Sequence, residues 1–263
     1  MDREQRLRDA LAVTRMRSSE PEGDDASGVI ELLVTRGVDA LLPDDDYYPT
    51  SLRDIRRSVP ALFAWGRQEL LNRPAIGMCG SRAASHRGLD AAAACGEEVA
   101  RAGFAIVSGY ARGVDTETHL AALREGGVTI IVLAEGILHF KPKRVFSGLP
   151  FDEDHVLVIS QFSPRQSWAS WAAMARNQVI VNASQALVVI EASERGGTLD
   201  AGLYALRVGR PLLVLDLGDE APPGNRLLLD QGATAVRTRK ELRHLVHDRI
   251  KDSMPNQQLE MAP

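Results

Sequence analysis

Residues 104–124 read FAIVSGYARGVDTETHLAALR. An apolar run, FAIV, leads into two glycines, an arginine and an aspartate, and then a run with helix-like composition begins. A plain strand-to-helix connector needs one glycine and one capping residue. Here Gly109 and Gly113 permit tight turns and close approach of a ligand. Asp115 is placed to cap the helix that follows, with Thr118 and His119 about one turn further on. Arg112 adds a cation that a connector does not require. The segment reads as a buried strand, a binding loop and a helix. The fold depends on whether that unit recurs.

It recurs along most of the chain. Strand-like runs stand at AIGMC (75–79), FAIVS (104–108), VTIIVL (128–133), VLVIS (156–160), ALVVIE (186–191) and PLLVLD (211–216), with a weaker one at TAVR (234–237). They are short, rich in β-branched residues and apolar on both faces, as central parallel strands are. Helical runs separate them: GLDAAAACGEEVARAG, VDTETHLAALREGG, ASWAAMARNQVIVNAS, GTLDAGLYALRVG and NRLLLDQG. The pattern predicts an α/β fold, Rossmann-like and doubly wound, with a mostly parallel sheet and helices on both faces. Ligands in such sheets sit outside the carboxyl ends of the strands.

Composition agrees. Of 263 residues, 44% are hydrophobic and only 5% aromatic, a mix that suits helices on a parallel sheet better than a β-sandwich. Net charge is -4, so any nucleic-acid affinity must come from a local patch. Two cysteines, Cys79 and Cys95, have no metal-like spacing, and a reducing compartment is the simpler reading. The first 20 residues alternate charged and apolar types, unlike a signal peptide, and read as a short amphipathic helix. No apolar stretch approaches a membrane span. A soluble cytoplasmic protein without membrane contact is expected. Residues 21–28 read as a linker, and residues 29–73 as a small preface holding one helical run. The domains are expected at 1–46 (helical extension and linker), 47–250 (Rossmann-like domain) and 251–263 (disordered tail).

The strand ends carry the chemistry. After the first strand, Gly80 lets the backbone turn, Ser81 supplies a hydroxyl, and Arg82 brings a cation to a helix start that already favours anions. After the third, Lys141 and Lys143 stand beside Phe140, which suits phosphate pairing with base stacking or simply a solvated basic loop. After the fourth come Trp168 and Trp171, expected to pack against the sheet, and then Arg176 and Asn177. The fifth ends in Glu191, and Gly196, Gly197 and Thr198 then form an anion-cradle pattern at a helix start. Ser108 ends the second strand. The scattered histidines complete no metal set. Neither a Walker A motif nor an opening GxGxxG is present, so no cofactor is expected.

These motifs, in this order, resemble the DprA/Smf DNA-processing family of the SLOG group. The matching stretches are YPTSLRDI (48–55), ALFAWG (61–66), GSR (80–82), SGYARGVDTETHLAAL (108–123), GGVTIIVLAEG (126–136), ARNQVIVNAS (175–184), VVIEASERGGTLDAG (188–202), GRPLLVLD (209–216) and GNRLLLDQGA (224–233). The resemblance implies single-stranded DNA binding, dimer formation and assistance in loading RecA during transformation. It places Arg82, Ser108, Gly109, Gly113, Asp115, Arg176, Asn177, Gly196, Gly197 and Thr198 around one pocket. The chain departs from the family at Thr118-His119, Gln161 and Gly196-Gly197-Thr198-Leu199, and at Phe140-Lys141-Pro142, where the family's tyrosine-proline step is shifted. A C-terminal winged helix is not expected. Two other readings stand beside DNA binding: a nucleotide sensor, and a LOG-type nucleotide phosphoribohydrolase. Against the hydrolase, Ala201 occupies the position of that group's catalytic glutamate, with Asp200 one residue early. A binding protein rather than an enzyme is expected.

Overall fold

A computed structural model describes residues 2–16, 25–55 and 59–251. Two helices, α1 (Arg3–Arg15) and α2 (Ala26–Thr35), precede strand β1 (Asp39–Leu41), a helical turn α3 (Thr50–Arg53) and strand β2 (Leu62–Trp65). The alternating portion follows as β3 (Ala75–Cys79), α4 (His86–Arg101), β4 (Ala105–Ser108), α5 (Val114–Arg124), β5 (Thr129–Val132) and β6 (Val156–Ser160). It continues with α6 (Ser170–Asn182), β7 (Ala186–Val189), α7 (Gly197–Arg207), β8 (Leu212–Leu215), α8 (Pro223–Asp230), β9 (Thr234–Val236) and α9 (Arg239–His244). A π-helical stretch, Leu245–Lys251, closes the described chain.

The strands form one sheet in the order β1-β2-β6-β5-β4-β3-β7-β8-β9. From β6 across to β9 every pairing is parallel, whereas β1–β2 and β2–β6 are antiparallel. This is the expected doubly wound α/β sheet. Its core follows from the two-residue period of a strand. Ala75, Val107, Ile130, Ile159, Leu187 and Val214 face one side, where they meet α6 and α7. Their neighbours Ile76, Met78, Ile106, Val188 and Leu213 face the other side against α4 and α9. Ile131 and Val158 meet α1 and α2 on that same side. Each buried aliphatic side chain contributes roughly 1.5–3 kcal/mol, and helices cover both faces.

Two expectations needed correction. Within the supposed linker, Asp25 accepts hydrogen bonds from the Ser27 and Gly28 N–H groups and starts α2 at Ala26. Residues 21–24 and 252–263 lie outside the described residues. The preface holds β1 and β2, which join the sheet edge ahead of the alternating part. The apolar run VIVNASQALVVI is largely buried within α6 and β7. No helix among the described residues is long and apolar enough to cross a membrane.

Candidate nucleic-acid interface

From β3 to β6 the chain winds outward in one direction; it then returns to place β7 on the other side of β3. The carboxyl ends of β3 and β7 therefore diverge into loops on opposite sides, leaving a crevice between them. A cavity of about 510 Å³ occupies it, walled by Gly80–Ala83, Ala111 and Asp115, the start of α6, and the turn Arg195–Thr198. A smaller cavity of about 290 Å³ adjoins it and shares Arg82, Trp168 and Arg176. Arg112 lines this second cavity with Tyr110 and Glu135.

Arg176 is the centre of the arrangement. It leaves α6 nearly two turns from the helix start and is only 6% exposed. Its Nη1 lies 3.7 Å from Asp115 Oδ2. Neither Nη1 nor Nε has a hydrogen-bond partner. A buried guanidinium rarely leaves donors unmatched, because each costs about 1–3 kcal/mol when unsatisfied. The geometry suits an anion entering the cavity. Burial raises the pKa of Asp115, and the Arg176 charge opposes that shift.

The opening loop is shaped around this pair. At Gly109 any Cβ would overlap the Arg176 guanidinium and the Asp115 carboxylate. Gly113, at φ +80°, caps α5, and the carbonyls of Ser81 and Arg82 leave no room for a side chain there. Asp115 is therefore not the helix cap. It sits in the first turn, and its carboxylate accepts from the Ala111 N–H at 3.3 Å, which still fixes the loop. His119, fully buried, spans from Thr129 to the Gly109 carbonyl. Burial holds its pKa down at about 4, so the ring is neutral and Nε2–H donates to Gly109.

Several predicted residues meet in the cavity: Gly80, Ser81, Arg82, Asp115, Arg176, Asn177, Gly196, Gly197 and Thr198. Asn177 donates to the Gly197 carbonyl at 2.9 Å, and Thr198 to the Gly80 carbonyl at 3.2 Å. These bonds tie the start of α7 to α6 and to the loop after β3. No side chain caps the start of α7, whose first residues border the cavity. Arg112 and Arg82 are exposed.

Others do not reach the cavity. Ser108 is buried and donates to the Met78 carbonyl at 2.7 Å, joining two strand ends. Lys143 turns inward: its ammonium donates to the Tyr110 carbonyl at 2.7 Å and to the Thr116 hydroxyl at 3.0 Å, 4.1 Å from the Tyr110 ring centre. It braces the loop rather than offering charge, and burial lowers its pKa. Lys141 is exposed, away from both cavities. Glu191 accepts from the Ser85 N–H at 3.0 Å and from the Ser85 hydroxyl, fastening the start of α4.

The structure also adds residues. Arg195, exposed in the glycine turn, lines the larger cavity. Its place between Glu191 and the paired glycines was the only signal. Asp200 lines the cavity too, while Ala201 turns into the core. The tryptophans overturn the expectation of burial, at 49% exposed for Trp168 and 56% for Trp171. Among the described residues no cluster of His, Cys, Asp or Glu is arranged to hold a metal.

Residues 39–247 match a family model described as DNA recombination-mediator protein A. The DNA processing protein DprA of Streptococcus pneumoniae is 32% identical over 197 residues, spanning 73% of this chain and 68% of the relative. That of Bacillus subtilis is 29% identical over 204 residues, spanning 76% and 69%. Among solved structures, the S. pneumoniae DprA covers 91% of this chain and 92% of its own at a TM-score of 0.68 and 26% identity. DprA of Helicobacter pylori, described for its single-stranded DNA binding mode, covers 80% and 96% at a TM-score of 0.70; at 21% identity it bears on the fold.

Proposed function

The chain belongs to the DprA/Smf DNA-processing family, and from that membership and the site geometry we propose that it binds single-stranded DNA across the switch-point crevice. The observation that carries the reading is Arg176, buried yet holding two unmatched N–H donors at a cavity that Arg82 and Arg195 also line. With Arg112 in the adjoining cavity, these arginines form a local cationic track on a chain of negative net charge. A sugar-phosphate backbone fits that track: phosphates meet charge, and no base edge is required for attraction.

The chain acts in DNA processing during recombination or transformation, in the cytoplasm, with RecA and a second copy of itself as protein partners. The family resemblance supports these partners; light scattering that gives a monomer at high concentration would remove the second copy. The hydrolase reading finds no support at Ala201, whose side chain is buried away from the cavity.

Labelled oligo-dT titrated at several salt concentrations tests the central proposal. If Arg82, Arg112, Arg176 and Arg195 each meet a phosphate, log K falls with log salt at a slope on the order of -3. Absence of binding at low salt refutes it.

A further inference from the structure

We infer that Trp168, which lines both cavities, and Trp171, exposed on the adjoining first turn of α6, form a base-stacking ledge, so that the protein grips unpaired bases as well as the backbone of the strand. This rests on the proposed DNA-binding reading and names which part of the strand the site recognises.

Indole rings are ordinarily buried, because each removes a large apolar area from water. Here the two residues are about half exposed, at 49% and 56%. Trp168 lines both cavities and lies two residues before the start of α6. Trp171 and Met174 stand three apart on α6 and share a face. Met174 is 52% exposed and also lines the larger cavity. The apolar strip therefore runs along the cationic track rather than apart from it.

Local contacts orient the rings and leave both residues about half exposed. The Arg82 guanidinium lies 5.2 Å from the Trp168 ring centre. The Trp171 ring stands edge-on to Phe162, with centroids 5.7 Å apart and planes at 87°. Each ring is thus held in orientation before any ligand arrives, which lowers the entropic cost of stacking. The occupant follows from the neighbouring charge. A peptide or lipid tail would fill an apolar strip but leave the arginines beside it unmatched. A single strand supplies both, a phosphate for each cation and a π-face for each ring. Double-stranded DNA hides its base faces in the stack and offers only the first.

The test compares oligo-dT with an abasic tetrahydrofuran oligomer of equal length, by fluorescence anisotropy at fixed salt. The parent protein is expected to prefer oligo-dT by on the order of tenfold, within the range measured for one stacked base. Trp168→Ala should erase most of that preference and leave the salt dependence of abasic binding unchanged. Trp168→Phe should keep most of the preference and guards against a folding defect in the alanine variant. Equal affinity of the parent for both oligomers overturns the ledge while leaving backbone binding intact, and so does an unchanged preference in Trp168→Ala. If neither oligomer binds, the DNA-binding reading fails and the ledge with it.

Discussion

Acidification from pH 7 to pH 4 is expected to loosen the fold through His119, the residue that holds the Gly109 carbonyl. Its ring is fully buried, and burial lowers its pKa from the ordinary 6.5 to about 4. Between those values the unfolded chain takes up a proton that the folded chain refuses. Stability from this group is therefore complete above pH 6.5 and is lost as pH falls towards 4. A difference of about 2.5 pKa units corresponds to about 3 kcal/mol, at 1.36 kcal/mol per unit. That is a large share of the roughly 5–15 kcal/mol that holds a domain together.

Asp115 acts in the opposite sense. Its pKa in the fold lies above the usual carboxylate value, because of burial, so its contribution fades as pH rises through the folded pKa. The comparison that isolates His119 is thus between the parent and His119→Gln at each pH, at constant ionic strength. Urea midpoints between pH 4 and pH 7.5 supply the measurement. Substitution should lower stability at pH 7 and remove about 3 kcal/mol of the parent's pH dependence. Parallel profiles for the two proteins would show that His119 does not titrate as its burial requires, and would undo the account of how this loop is held.

Gly109→Ala places a methyl group against Arg176 and Asp115; oligo-dT affinity should fall by tenfold or more, with about 1–3 kcal/mol lost in urea unfolding. Normal binding by that variant would contradict the packing around Arg176. Arg112→Ala removes one exposed cation of the smaller cavity, so the salt slope of oligo-dT binding should become shallower by about 0.7 with Tm unchanged. Incubation with AMP-like nucleotides should release no free base. Release that Asp200→Ala or Arg176→Ala abolishes would turn the reading from a binding protein to an enzyme.

The alternation of apolar runs was enough to locate β3 to β9 and the helices between them, because a strand buried on both faces must be apolar throughout. Strands β1 and β2 were missed because they lie outside the regular alternation of strand and helix. They pair antiparallel, and only those pairings, β1 with β2 and β2 with β6, place them in the sheet. At the site, the glycine turns and Arg176 were visible as departures from what a connector needs. Lys143 and Glu191 carried the same kind of signal, yet both are spent inside the protein, one on the Tyr110 loop and one on Ser85.

The sequence alone therefore determined the chain order of β3 to β9 with their intervening helices, and the set of loops at the strand ends. Local spacing and backbone freedom are properties of a few adjacent residues, and they are written there. Only the tertiary structure decided which cations are free, which rings are exposed, and why Gly109 must be a glycine. Those outcomes depend on groups far apart in the chain: residues 109, 115 and 176 converge because β4 ends, and α5 and α6 begin, at one crevice. The same convergence leaves Trp168 at the cavities, and Trp171 exposed on the first turn of α6, instead of packed against the sheet.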